Sequence, residues 1–222
     1  MTGRALTVWI VVQAAVSVLA WSVPAIQSFI SRVRLHTLEE AEVEGRADAR
    51  VAMNDALDPV MGLLGRVVTA SSARRRRSYI DQALGAVLAT MATLLGSDRS
   101  RACWFKFNAG PPKTLTPDGY HGRSGSPSSV FVEGTTSGDA ALSMALTGGD
   151  RICEDIDKEP PPGWDTSKTR DYKTFISVSV VAGDKVFGML TLDSMAPGDL
   201  TDDDLRLLRL LAGALAVALA SA

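Results

Sequence analysis

The chain has very little cysteine and histidine. Among 222 residues there are two cysteines, Cys103 and Cys153, and two histidines, His36 and His121. Metal centres and disulfide frameworks need several such residues at short spacings, and the sequence has neither a Cys-x-x-Cys pair nor a Cys/His cluster. We therefore expect no metal site and no disulfide scaffold.

The chain also lacks an excess of charge of one sign. It carries 23 basic and 25 acidic residues, for a net charge of −2. Nucleic-acid-binding proteins usually show a basic excess, so we expect no nucleic-acid partner. Gly-rich phosphate loops, nucleophile elbows and paired catalytic carboxylates are likewise missing from the sequence. We expect no catalytic residues and no enzymatic activity.

A long uncharged run is present near the amino terminus. Residues 5–31 carry no charge, and about 20 apolar residues are enough to cross the hydrocarbon core of a bilayer. We predict a transmembrane anchor at residues 1–32 that contacts the lipid bilayer through residues 5–30. A cleaved signal peptide, cut after residues 18–20, and a buried core helix are the alternatives. Because the apolar stretch continues past that cleavage site, we favour the uncleaved anchor.

The charges around this segment predict its orientation. Only Arg4 precedes it, whereas Arg32, Arg34, Arg46 and Arg50 follow it. The positive-inside rule then places the carboxy-terminal domain in the cytoplasm of a single-pass membrane protein. A reducing compartment also suits two unpaired cysteines. The Ala- and Arg-rich usage suggests a bacterial source.

Residues 33–78 are expected to form a helical connector. Apolar residues recur there at alternating spacings of four and three: Ala49, Met53, Ala56, Val60, Leu63, Val67 and Ala70. Such a heptad seam favours a coiled coil, here in a homodimer, although an amphipathic helix lying on its own domain gives the same pattern. Asp58-Pro59 either starts a new helix or kinks a continuous one. Arg74–Arg77 is either a solvated junction between helices, which we favour, or a contact with anionic lipid or nucleic acid.

Helix and strand signals alternate over residues 79–222. An amphipathic helix around residues 80–94 is followed by a strand at 102–107, a turn-rich stretch with a short second strand at 110–129, a helix at 138–146 and a loop at 159–168. Residues 174–181 and 186–193 read as a β-hairpin. Thr201 and Asp204 form a variant capping box before a closing helix. We predict an α+β domain with an antiparallel sheet flanked by helices.

The end of the chain carries a family resemblance. The run from Tyr172 to Val181, the strand Val186–Asp193, the cap Leu200–Asp204 and the Ala/Leu helix at 210–218 resemble the closing half of a GAF domain. Ser179 stands where many members have proline. The resemblance implies a sensory or dimerisation module with a small-ligand pocket between the sheet and the variable helices and loops. It also implies that the opening and closing helices form a dimer bundle.

Marks of particular GAF subfamilies are missing. The Asn-Lys-x-Phe-x-Asp-Glu signature of cyclic-nucleotide-binding members does not occur, and neither cysteine has the neighbouring histidine of bilin-binding members. Members that reduce free methionine sulfoxide resemble this chain less, since they need several cysteines in pocket loops. We expect Cys103 to be a core residue, Cys153 to be the better redox candidate, and His121 to lie on a loop surface rather than bind haem. The identity of any cofactor stays open.

The sequence as a whole predicts a membrane-anchored cytoplasmic GAF sensor without an output domain. It would bind an unidentified small ligand and signal through a dimer or a separate downstream protein. The alternatives are a ligand-free dimerisation scaffold at the membrane and, third, an enzyme of the methionine sulfoxide reductase kind. Six candidate ligand-binding residues lie on or beside the strands that floor such pockets: Phe131, Tyr172, Phe175, Ser177, Ser179 and Thr191. Strand alternation leads us to expect about half of them to point away from the pocket.

Overall fold

The computed structural model describes residues 51–95 and 99–222, and the predicted membrane segment lies outside these residues. Met53–Ala222 forms one compact unit. Its helices are α1 at residues 51–69, α2 (Ala73–Thr90), followed by a π-helical turn (Met91–Leu95), α3 (Thr136–Leu146) and α4 (Asp202–Ala220). Its strands are β1 (Arg101–Asn108), β2 (Thr114–Gly122), β3 (Phe131–Val132), β4 (Asp150–Cys153), β5 (Thr174–Ala182) and β6 (Lys185–Ser194).

The described strands form one antiparallel sheet in the order β3-β2-β1-β6-β5-β4. Strand alternation divides its residues between two faces. On one face Trp104, Ile176 and Leu190 are buried in a core shared with α2 and α4. On the other face Phe105 and Met189 pack against α3. The predicted α+β architecture, an antiparallel sheet flanked by helices, is confirmed.

The closing half follows its local sequence signals closely. The hairpin of β5 and β6 pairs Ala182 with Lys185 across a two-residue turn in which Gly183 has a φ of +56°. Glycine suits that position because a Cβ atom disfavours positive φ. Thr201 Oγ1 accepts a hydrogen bond from the Asp204 backbone N–H while the Asp204 carboxylate accepts from the Thr201 N–H. Both the predicted hairpin and the predicted capping box are confirmed.

The predictions for the first half of the domain needed two corrections. β2 is a full nine-residue strand rather than a short one among turns. Its pairing with β1 shifts between Trp104 and Phe105, opposite Gly119 and Pro117, and such a bulge accommodates a proline that has no N–H to donate. His121 is therefore an exposed strand residue and does not lie in a loop. The short edge strand β4 had no sequence signal strong enough to predict it.

Residues 33–50 of the predicted connector lie outside the described residues, and the described helix at 51–69 packs on its own domain. Residues 51–69 are helical without a break at Asp58-Pro59, so no new helix starts there. Val60 and Val67 of the heptad seam are buried against the domain, as the amphipathic-helix alternative predicted, whereas Met53 is exposed. Pairing of this helix with a second copy as a coiled coil stays a prediction.

The arginine run begins α2. After a break at residues 70–72, Ser72 caps the helix by accepting from the Arg75 backbone N–H at 3.3 Å, and Arg76 donates to the Ala70 carbonyl at 3.3 Å. Arg74–Arg77 thus occupies a helix junction, and contact with lipid stays a prediction. Ala73–Leu95 is long and apolar enough to cross a membrane. Length and composition do not assign it there, because a buried core helix passes the same test.

Candidate functional site

A cavity of about 340 Å³ lies on the α3 side of the sheet. Its floor is formed by β1, β5 and β6, one wall by α3, and its cover by residues 123–129 and 161–172. This volume is at the lower end of the range typical of small-molecule sites. The cavity therefore has the size to enclose a small metabolite.

Strand pairing arranges the floor in three rows. Arg101, Asp193 and Phe175 form the first row, Cys103, Thr191, Ser177 and Arg151 the second, and Phe105 and Met189 the third. Successive rows are two residues apart along each strand, about 7 Å. The charged and polar groups of the floor thus lie in the first two rows, and the third row is apolar.

The charged row contains a buried carboxylate held by two arginines. Arg101 donates to Asp193 Oδ2 from Nε at 3.1 Å and from Nη2 at 2.9 Å, and Arg123 Nη2 donates to Oδ1 at 2.7 Å. All three side chains are mostly buried. Burial raises the pKa of Asp193 above its usual range despite the opposing effect of both guanidiniums. Within the described residues, the buried Nη1 of Arg123 has no hydrogen-bond partner.

The polar row combines a thiol, two hydroxyls and a guanidinium. Burial, with a contribution from Asp193, raises the pKa of Cys103 to about 11, although Arg101 and a hydrogen bond with Thr191 oppose the shift. Arg151 extends from the edge strand β4 opposite Ser177. No carboxylate in the described part of the chain forms an ion pair with Arg151. Arg151 is therefore a cavity-lining cation whose charge no ion pair neutralises there.

Aromatic side chains form the cover and the apolar end. The Trp164 ring stacks on Phe175 with centroids 5.5 Å apart and an interplanar angle of 4°. The Arg170 guanidinium lies 3.9 Å from the centroid of Trp164. Tyr172 meets the edges of both rings, and burial raises its pKa to about 12. At the other end, Phe131 contacts Phe105 edge to face at 5.4 Å.

The structure brings together five of the six residues that the sequence proposed as a ligand site. Phe131, Tyr172, Phe175, Ser177 and Thr191 line the cavity. The expectation that half would point away was wrong, because the strand residues chosen share one face of the sheet. A role of these five in binding stays a prediction.

Ser179 is the member that does not line the cavity. Its side chain lies on the same face but is covered where α3 ends, and its hydroxyl donates to the carbonyls of Gly149 and Met144. Its backbone N–H also donates to Gly149 at 3.1 Å. A proline here would lack that donor, which gives a reason for this chain to depart from the family pattern.

Sequence reasoning missed the charged residues of the cavity and its tryptophan: Arg101, Arg123, Arg151, Lys168, Arg170, Asp171, Asp193 and Trp164. One signal was available, since Arg101 and Asp193 are charged residues that directly flank the mainly apolar runs at 102–105 and 186–192. The position of Trp164 depends on its stacking with Phe175 and had no local signal.

Cys153 lies outside this lining. It is buried in β4, where its thiol donates to the Glu159 carbonyl at 3.4 Å, and burial raises its pKa. Among residues 51–95 and 99–222, no group of three or more His, Cys, Asp or Glu side chains is placed to hold a metal ion.

Comparison with known proteins then decides the family. The model of the GAF domain family matches residues 78–220, which is most of the chain. The chain belongs to the GAF domain family. Members are generally regulatory and sensory, commonly as small-ligand domains of signalling proteins. No protein of curated function matches the chain by sequence.

Solved structures agree on the fold. The chain is similar to free methionine-R-sulfoxide reductase from Neisseria meningitidis, with 14% identity, a TM-score of 0.54 and coverage of 75% of this chain and 89% of that one. It is also similar to the GAF domain of a phosphoenolpyruvate-protein phosphotransferase from Coxiella burnetii, with 17% identity, a TM-score of 0.52 and coverage of 76% and 94%. It is similar as well to the GAF domain region of a protein from Geobacter sulfurreducens, with 20% identity and a TM-score of 0.51. That match covers 66% of this chain and 97% of the other. Identities this low support the fold alone.

Proposed function

We propose that this GAF domain is a sensor that binds a small ligand in the cavity between its sheet, α3 and the covering loops. The observation that carries the proposal is the cavity itself, whose floor is graded from charged to apolar within a family of commonly sensory domains. A pocket of this kind, with a few polar groups among aromatic walls, is the usual form of a small-molecule site.

The main alternative is a scaffold that binds no ligand. That alternative requires the domain's own side chains to fill the pocket. About 340 Å³ remains open although Trp164 and Phe175 stack directly against each other at its cover. Because this volume is large enough for a metabolite, we favour the sensor over the scaffold.

The proposal includes a route for signalling. The facing surfaces of α1 and α4 form an apolar groove in which Met61, Val68, Leu210 and Val217 are exposed. An apolar surface of this kind commonly marks a protein interface. We expect homodimerisation here, with a separate downstream protein as the further partner. Residues 5–30 would anchor the domain on the cytoplasmic side of the membrane.

Enzymatic activity is the third reading, prompted by the fold shared with methionine sulfoxide reductase. A catalytic cysteine needs a thiolate, which is favoured by nearby positive charge and exposure to solvent. Cys103 and Cys153 are both buried, and burial raises the pKa of each. We therefore propose a sensor without catalytic residues.

Native mass spectrometry of the detergent-solubilised full-length chain tests ligand binding and oligomeric state together. We expect a dimer that carries a defined additional mass. Ser177→Leu fills the cavity floor and should remove that mass, whereas Ser143→Leu, on the exposed surface of α3, should retain it. An empty dimer would favour the scaffold, and an additional mass that survives Ser177→Leu would place the ligand elsewhere.

A further inference from the structure

We infer that the ligand of this cavity is a small organic oxyanion, a carboxylate or a phosphate ester with an apolar body, whose anionic group binds Arg151 and Ser177. The inference rests on the proposed ligand-binding function and adds the chemical class of the ligand. It follows from the charges around the cavity and from the partners that each charge already has.

The lining is electropositive although the chain as a whole is slightly acidic. Among the described residues that line the cavity, Arg101, Arg123, Arg151, Lys168 and Arg170 are basic, and Asp171 and Asp193 are acidic. The net charge of the full chain is −2. A positively charged concave surface with low-dielectric walls concentrates anions.

Most of these cations already have partners. Arg101 and Arg123 share the Asp193 carboxylate, although the buried Nη1 of Arg123 has no partner among the described residues. Arg170 donates from Nη1 to the Asp165 carbonyl at 2.7 Å and to the Lys168 carbonyl at 3.0 Å, and its guanidinium lies over Trp164. Lys168 is mostly exposed and lies 3.6 Å from the Asp165 carboxylate.

Arg151 differs from these four residues. It is half-buried on the cavity wall, and the described residues supply neither a carboxylate nor a side-chain hydrogen bond to its guanidinium. A partly desolvated guanidinium without a counter-charge is unfavourable, and a carboxylate or phosphate pairs with it through two parallel hydrogen bonds. An oxyanion in the cavity would supply the missing charge.

Ser177 is positioned to complete the contact. It lies directly opposite Arg151 in the β4–β5 register, and both side chains line the cavity. The Ser177 hydroxyl forms no hydrogen bond with another side chain of the described residues, so it is available as a donor to an anion. The apolar row of Phe105 and Met189 begins two residues further along the strands, at the distance where the body of the ligand would lie.

Four probes of similar shape test the inference on the full-length chain in detergent. Isothermal titration calorimetry with benzoate, phenyl phosphate, benzamide and benzylammonium, up to about 10 mM, separates charge from shape. We expect at least one anion to bind about tenfold or more tightly than neutral benzamide, and benzylammonium not to bind. Binding of benzoate alone would identify a carboxylate site, and binding of phenyl phosphate alone a phosphate site.

Variants connect that binding to Arg151. Arg151→Met should lower the affinity for the anion about tenfold or more and leave the affinity for benzamide unchanged. Arg206→Met, which removes an exposed arginine paired with Asp203 on α4, is the matched control and should not alter affinity. If Arg151→Met does not fold, Arg151→Lys is the second variant. Lysine keeps the positive charge but cannot form two parallel hydrogen bonds with the anion, so the affinity for the anion should still fall.

The outcomes distinguish this inference from the proposed function. If neither benzoate nor phenyl phosphate binds more tightly than benzamide, or if the Arg151 variants keep full affinity for the anion, the assignment of an oxyanion to Arg151 is wrong and the sensor proposal stands. If no probe binds and the purified protein carries no additional mass, both fail.

Discussion

Asp193 and Arg101 lie opposite each other on β6 and β1, and two nitrogens of Arg101 donate to the same carboxylate oxygen at 3.1 and 2.9 Å. The second oxygen accepts from Arg123. One buried carboxylate therefore pairs with two guanidiniums at the charged end of the cavity, and the three side chains together keep one positive charge. This arrangement fixes the end of the sheet and the loop that follows β2 in one geometry.

Replacing Asp193 with asparagine should destabilise the domain. Removing one partner of a buried ion pair costs about 3 kcal/mol, because the remaining charge is left uncompensated. We expect urea denaturation to show a loss of about that size in the free energy of unfolding. Asp203→Asn, in an exposed pair with Arg206, is the control and should cost less than about 1 kcal/mol. Similar losses in the two variants would contradict the role given to Asp193.

The Cys103 thiol should make stability fall at alkaline pH. Its pKa is about 11 in the folded state against an ordinary value of 9.0. Between these values the unfolded chain releases the proton and the folded chain keeps it, so the stability present below pH 9 is lost as pH rises towards 11. We expect Cys103→Ser to have a flatter dependence of unfolding free energy on pH over this range. An unchanged slope would show that the thiol is not buried as described.

Both cysteines should react slowly with iodoacetamide while the protein is folded. At pH 8 a thiol of pKa 11 is about one-thousandth thiolate, and Cys103 and Cys153 are both buried. Mass spectrometry should find little modification until denaturant is added, after which both sites react. Rapid labelling of Cys103 in the folded protein would instead support the enzyme reading and argue against a purely sensory cavity.

Gly188 should not tolerate a side chain. A Cβ atom there would lie 2.1 Å from the Phe105 carbonyl oxygen and 2.5 Å from the Trp104 ring. We expect Gly188→Ala to lower the midpoint of thermal unfolding, because moving either the Phe105 backbone or the buried Trp104 indole out of the way would cost free energy. Gly85→Ala is the matched control, because the same atom in α2 meets nothing within 4 Å and alanine favours the helix by about 1 kcal/mol. A similar shift in both variants would contradict this account.

Local sequence signals explain which parts of the fold were predictable. The β5–β6 hairpin and the Thr201 cap are determined by neighbouring residues, and both were predicted. β2 was obscured by Pro117 and its glycines, because its strand character depends on pairing with β1. Tertiary pairing overrides local propensity at such positions.

The same distinction applies to the site. Phe175, Ser177 and Thr191 were found because one predicted hairpin carries them all. Arg101 and Asp193 are 92 positions apart in the sequence. A charged residue in a strand is normally predicted to be exposed, so the local sequence did not indicate that these two residues form a buried pair. The charged chemistry of the cavity is a product of tertiary structure, so sequence reasoning located the cavity floor but not its electrostatics.

The groove between α1 and α4 should mediate the proposed homodimer. Leu210 is 60% exposed and Val217 is 53% exposed on one side of α4, next to Met61 and Val68 of α1. We expect Leu210→Glu to convert a dimer into a monomer, because burying an unpaired carboxylate in an apolar interface is strongly unfavourable. Light scattering coupled to size-exclusion chromatography of the full-length chain in detergent, corrected for bound detergent, measures this directly.

The control for that experiment is a glutamate introduced on another exposed leucine. Leu146, at the end of α3, is 45% exposed and lies outside the groove. Leu146→Glu should leave the dimer intact, and circular dichroism should show both variants folded. If Leu210→Glu remains dimeric, the copies associate through another surface, and signalling through the α1–α4 groove is wrong. If the parent chain is itself monomeric, the downstream protein becomes the natural occupant to test, since the apolar groove would then be uncovered in the isolated sensor.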